Sequence, residues 1–107
     1  IEGWLQEVDQ PVEKFITHLT EMGIKRIIYT DINRDGMLSG PNIDMIKKIL
    51  QKNESKIIAS GGISSMDDLY QLKQLENLGL EGAIVGKALY KGNIKLGEAV
   101  KIFHNQR

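Results

Sequence analysis

The sequence predicts an α/β chain built on a parallel sheet, and three observations carry that expectation. Short apolar runs rich in β-branched residues occur at 27–29, 57–59 and 83–85. Segments with one-sided helical spacing separate them. Each run leads into a polar, glycine-bearing stretch. Strands alternating with helices in this way form right-handed βαβ units. The runs are continuously apolar rather than alternating, which predicts a sheet covered on both faces.

Residues 1–10 mix charged, apolar and glycine residues and predict irregular chain, with Trp4 better suited to packing than to stacking on a ligand. Over 10–22, Val12, Phe15, Ile16, Leu19 and Met22 share one helical face. Asp9 suits the N-cap, Pro11 the first turn and Gly23 the stop. "KRIIYTDI" follows, with Ile27, Ile28 and Tyr29 as a short buried strand. Asn42 caps a second helix whose apolar face is Ile43, Ile46, Ile49 and Leu50, with Asp44 in its first turn. After the next strand, "KIIASGG" with Ile57, Ile58 and Ala59 inside, Ser64 and Ser65 open a third helix, with Asp67 and Asp68 at its positive end. Leu69, Leu72, Leu75 and Leu78 form its inner face and Gly79 ends it. A strand over 83–85 leads to a helical turn at Lys87 or Ala88. A last helix from about Lys95 to Phe103 turns Ala99, Val100 and Phe103 inward.

The composition bounds the function. The 107 residues suit one domain, 41% hydrophobic and 26% charged, with 14 basic and 14 acidic side chains. A net charge of zero offers no electrostatic footprint for nucleic acid or a membrane surface. No apolar run approaches the ~20 residues that span a bilayer. The lack of cysteine removes disulfides and thiolate metal sites and fits a cytoplasmic location. His18 and His104 have no companions at metal-ligand spacing and read as surface or helix-end residues. Lys47, Lys48 and Lys73 read as solvated. The chain begins at Ile1 rather than Met, which raises the expectation that residues precede it.

The chemistry gathers where the strands end. In a parallel α/β sheet these ends share one edge, where ligands bind. "SGGISS" lacks the G-x-G-x-x-G spacing of a dinucleotide fold. Gly61 and Gly62 lead toward one helix and Gly86 toward another. Glycine lets N–H groups turn to a ligand, and the helix N-terminus adds positive charge. That arrangement suits phosphate, although "GG" also makes a plain tight turn. In "TDINRDGMLSGPN", Asp31 continues the strand and suits burial or pairing with Arg34. Asp35 precedes Gly36 and is freer to face a ligand. A carboxylate screened from water beside phosphate can serve as a general acid. An Asp-Gly turn is the simpler reading of the same residues.

"YTDINRDGMLSGPN", "IIASGGISSMDDL" and "GAIVGKALY", in this order and spacing, closely resemble the ProFAR isomerase (HisA) family of histidine biosynthesis. "GWL" near the start is similar to the segment after that family's fifth strand. The resemblance implies the C-terminal half of a (βα)8 TIM barrel. Residues 1–107 would supply strands six to eight of that single domain, with their helices. It implies an Amadori rearrangement of a bis-phosphorylated ribotide, with Asp35 as a candidate general acid and Thr30 bonding the reacting sugar. Backbone amides of Gly36, Gly62, Gly86 and Lys87 would form one of two phosphate sites. No metal or organic cofactor is implied. The family's catalytic aspartates on strands one and five have no counterpart here, so the 107 residues alone are expected to be inactive. They are also expected to need the missing N-terminal half-barrel or to self-associate. Two further readings remain. One is the related cyclase subunit (HisF) of imidazole glycerol phosphate synthase, which shares "RDG" and "SGG". The other is a non-catalytic, self-assembling phosphate-binding half-barrel.

Overall fold

The computed structural model describes residues 11–104. Trp4 and the cap expected at Asp9 lie outside the described residues. Helix α1 (Val12–Glu21) has Pro11 at its N-cap position rather than in its first turn. The Pro11 carbonyl accepts from the N–H groups of Lys14 (3.1 Å) and Phe15 (3.2 Å). Proline lacks only the donor that a helix start leaves unused. The other end closes on Gly23 at φ 96°. There Gly23 N–H bonds Thr20 O (3.0 Å) and Ile24 N–H bonds Leu19 O (3.1 Å), a Schellman closure. Met22 sits at the C-cap and is exposed, against the expectation from spacing, because it lies beyond the buried stripe.

Strands β1 (Arg26–Thr30), β2 (Lys56–Ser60) and β3 (Leu80–Ile84) form one parallel sheet in the order β1-β2-β3. Helix α2 (Ile43–Lys52) links β1 to β2, and α3 (Met66–Lys73) with a 3₁₀ turn at Glu76–Leu78 links β2 to β3. Helices α4 (Lys87–Tyr90) and α5 (Leu96–His104) follow. β3 therefore starts earlier than the run at 83–85 suggests, and Val85 lies beyond it. Gly82 weakens the local strand pattern, whereas pairing of Leu80 with Ile57 supplies the missing support. The register passes from Ile57↔Leu80 to Ile58↔Gly82, leaving Glu81 as the extra residue of a bulge.

The caps follow the sequence. Asn42 Oδ1 accepts from Met45 N–H at 3.2 Å. Ser65 and Asp68 form a reciprocal capping box at α3. Between α1 and α2, buried Ser55 donates to Ile24 O (2.7 Å) and accepts from Thr20 (2.7 Å), fastening two loops at the amino edge of the sheet. α3 is shorter than its leucine run, so Leu78 falls on the 3₁₀ turn and is exposed. Val100 is also exposed, while Ala99 and Phe103 pack on the core. Lys73 is not a solvated side chain. Its ammonium pairs with Glu76 at 2.7 Å and lies 5.5 Å from the Phe103 ring centre, joining α3 to α5.

One hydrophobic cluster joins Ile57 and Ala59 of β2 to Ile46, Ile49 and Leu50 of α2 and Leu69 and Leu72 of α3. The short axis of 20 Å fits one sheet and one layer of helices. The expected cover on both faces is thus corrected. Alternation turns Ile27 and Tyr29 toward the helices and Ile28 away, and Ile28 and Ile84 are 59% and 47% exposed. Apolar runs report that both faces are greasy, not what covers them. At the amino edge, Arg26 Nε and Nη2 both donate to the Glu81 carboxylate, the latter at 2.9 Å, across the intervening β2. That hydrogen bonding holds Glu81 below the usual carboxylate range.

Leu72→Ala is expected to lower the unfolding free energy of the 107-residue chain by about 2–5 kcal/mol. Ile28→Ala should change it by less than about 0.5 kcal/mol. Urea denaturation of both variants checks whether the core lies on one face only.

Candidate functional site

The β1–α2 loop begins as a compact turn built on Asp31. Its carbonyl accepts from Arg34 N–H (3.0 Å) and Asp35 N–H (2.9 Å), and its Oδ1 accepts from Asn33 N–H (3.1 Å). Arg34 Nε lies 3.6 Å from Asp31 Oδ2, so the pairing expected from sequence is present, with the Asp31 side chain only 13% exposed. Burial, and then the Asp31 charge, push the neighbouring Tyr29 phenol up to about 12, which keeps it neutral. Asp35, one residue beyond the pair, is exposed and has no ion pair among the described residues.

The β2–α3 loop crosses directly beneath. Gly61 (φ 102°) and Gly62 (φ 83°) both occupy left-handed backbone. A Cβ on Gly61 would lie 2.6 Å from Asp31 O, and one on Gly62 would lie 2.5 Å from Gly40 O and 2.9 Å from Arg34 Cβ. Gly40 N–H donates to Gly62 O at 2.9 Å. Conformation and space therefore require glycine twice over at this crossing.

Three loops enclose a pocket of about 130 Å³ at the carboxyl edge. Asp35, Gly36 and Met37 come from the first, Gly61, Gly62 and Ile63 from the second, and Ile84, Gly86 and Lys87 from the third. The structure thus brings together six residues singled out in the sequence: Asp35, Gly36, Gly61, Gly62, Gly86 and Lys87. Thr30 does not line it. It stands at the end of β1 opposite Ser60, on the same open side of the sheet as Ile28. Sequence reasoning missed Met37, Ile63 and Ile84 as pocket walls. For Ile84 the signal was available, because a strand-end residue alternating away from the core faces that edge.

The N–H groups of Gly36, Gly62, Ile63 and Gly86 bond no backbone carbonyl among the described residues. α4 has Gly86 at its N-cap, with no side-chain cap, so its first N–H groups also remain available. α3 differs from the expectation that its N-terminus serves an anion. Asp68 Oδ2 accepts from Ser64 N–H (2.8 Å), Ser64 Oγ (2.9 Å) and Ser65 N–H (3.2 Å), so that end holds its own carboxylate. The residues with unbonded backbone N–H groups at the pocket come from the loops and from the start of α4, where Lys87 also lines it. Unbonded backbone donors suit a small oxyanion, and the Asp35 carboxylate in the same pocket suits proton transfer. Among the described residues no group of His, Cys, Asp and Glu is arranged to hold a metal. A larger cleft of about 430 Å³ runs along β3 and α5, but Leu69, Ala83, Leu89, Leu96 and Phe103 make it mainly apolar.

A parallel βα sheet with a pocket at its carboxyl edge defines a βα protein of the kind whose ligand sites lie at that edge. The chain belongs to the family described as histidine biosynthesis protein, whose model matches residues 1–95. It is 55% identical over 95 residues to a phosphoribosyl imidazole-4-carboxamide isomerase (ProFAR isomerase) of Halothermothrix orenii, covering 89% of this chain and 39% of that protein. The corresponding isomerase of Desulforudis audaxviator is 42% identical over 107 residues, covering 100% of this chain and 41% of that protein. That of Pelotomaculum thermopropionicum is 47% identical over 102 residues, covering 95% and 39%. The chain thus spans about two-fifths of the length of these relatives. No helix among the described residues is long and apolar enough to cross a membrane.

Gly62→Ala is expected to destabilise the chain by more than Gly36→Ala. Gly36 (φ 78°) has open space where a methyl group would stand, so only the left-handed strain of about 1–2 kcal/mol applies. Gly62 adds a clash with backbone. Denaturant midpoints of the two variants rank them.

Proposed function

We propose that these residues are the part of a ProFAR isomerase barrel that carries strands six to eight, one phosphate site and the general acid. The observation that carries the reading is the single pocket joining Asp35 to the donors of Gly36, Gly62, Gly86 and Lys87. The relatives' shared name supports it, and so does the open sheet face, which in a closed barrel faces inward.

In this reading the substrate is a bis-phosphorylated ribotide. One phosphate sits among the Gly36, Gly62, Gly86 and Lys87 amides, with the Lys87 ammonium adding charge. Binding energy from the phosphate, remote from the reacting carbons, positions the sugar. Asp35 donates a proton to the ribose ring oxygen as the ring opens. A base must then move a proton from C2 of the opened aminoaldose to reach the aminoketose. Thr30, at the end of the adjacent strand, bonds a sugar hydroxyl. No metal or organic cofactor takes part. The rest of the site, including its second carboxylate, belongs to chain outside these residues, so the 107 residues alone do not turn over.

The exposed Ile28 and Ile84 also favour a second reading, in which this unit pairs with another copy of itself and binds phosphate without catalysis. The cyclase reading has only the shared "RDG" and "SGG" elements behind it.

In the complete gene product, Asp35→Asn should lower kcat by about 10²–10⁴-fold and leave KM nearly unchanged. Lys87→Met should mainly raise KM. Steady-state isomerase assays check both, and wild-type kcat in Asp35→Asn would overturn the assignment. Sustained turnover by the 107-residue chain would overturn its inactivity.

A further inference from the structure

We infer that Arg34 is a positioning residue for Asp35, an inference that rests on the isomerase reading above. Arg34 lies outside the pocket lining, yet it bonds both ends of the loop that presents Asp35. Its Nη1 donates to Gly40 O (3.0 Å) and Pro41 O (3.3 Å) at the far end of the loop. Its Nε faces Asp31 Oδ2 at 3.6 Å at the near end. Its backbone N–H closes the turn on Asp31 O (3.0 Å), and its carbonyl accepts from Met37 N–H (2.9 Å). The side chain therefore ties the two ends of the 31–41 segment together, and Asp35 and Gly36 stand on the arch between them.

This arrangement explains the type of residue. The loop ends are a carboxylate and two carbonyls, all acceptors. A guanidinium offers several donors in a fixed plane and can reach both ends at once, whereas an ammonium is a single point charge. The Arg34 stem also lies over Gly62, the same contact that a Cβ there would violate. Arg34 thus sets the height of the Asp35 arch above the phosphate-side loop. Without it, Asp35 keeps its chemistry but loses its fixed distance to the reacting ring oxygen. A misplacement of about 1 Å costs about 10²-fold in rate.

The test is a double-mutant cycle in the complete gene product, with Arg34→Met, Asp35→Asn and the pair. Methionine keeps the stem over Gly62 and removes the donors. Arg34→Met alone should lower kcat about 10²-fold with KM little changed. Adding it to Asp35→Asn should lower kcat no further, because the group it positions is already disabled. Independent, multiplicative losses would overturn the inference, as would wild-type kcat in Arg34→Met or a loss expressed mainly in KM. Full activity in Asp35→Asn alone would instead sink the catalytic reading of Asp35, and the inference with it. If Arg34→Met does not fold, Arg34→Lys and Asp31→Asn carry the same cycle. Each cuts part of the tie, and each should give a smaller kcat loss that likewise vanishes in Asp35→Asn.

Discussion

The crossing of the first two strand-to-helix loops is the constraint on which the site depends. Gly40 and Gly62 are joined by a 2.9 Å hydrogen bond, and the backbone of one loop rests on the bare Cα atoms of the other. Strand pairing brings Thr30 level with Ser60, so both loops leave the sheet at the same height. They can lie on one another only if the lower loop has no side chains at the contact. Two consecutive left-handed glycines meet that demand in both space and conformation. The crossing places Asp35 and Gly36 over Gly62, with Gly86 and Lys87 completing the far wall of the pocket.

The electrostatic layout of the pocket edge follows from which helix ends are occupied. α3 is a well-capped helix, with Ser65 bonding the Asp68 N–H and the Asp68 carboxylate occupying its positive end. Capping fastens it to the β2–α3 loop and leaves little positive end for a ligand. α4 is a single turn with no side-chain cap, and its Ala88 is fully buried. Burial rather than side-chain capping holds α4, and the N–H groups of Lys87 and Ala88 bond no backbone carbonyl among the described residues. The same sheet edge thus separates a structural helix start from an open one.

The rest of the sheet is covered on one face only. Its helices form one layer on one face, and the other face carries Ile28 and Ile84 at the middle and upper levels, with the Arg26–Glu81 pair at the amino edge. An apolar surface rimmed by a fixed ion pair suits an enclosed interior more than open water. Glu81, the extra residue of the bulge, reaches Arg26 across β2 on that open face.

Much of this was legible in the residues. Local chemistry set the caps at Asn42 and Ser65, the stop at Gly23, the buried stripe of α2 and the Asp31–Arg34 pair, because each depends on neighbours a few positions away. The alternation of strands and helices set a parallel sheet, and with it the edge where Asp35, Gly36, Gly62, Gly86 and Lys87 had to gather. What the chain alone left open depends on distant partners. The early start of β3 needs Ile57 beside Leu80, the burial of Lys73 needs Phe103, and the exposure of Leu78 and Val100 depends on where α3 ends and how α5 docks. The double duty of Gly62, as pocket wall and as the seat of the β1–α2 loop, likewise appears only when Gly40 is folded onto it. A sequence determines what each segment prefers to bury and to bond. Only the tertiary structure decides which surface it meets, because those contacts join residues tens of positions apart in the chain.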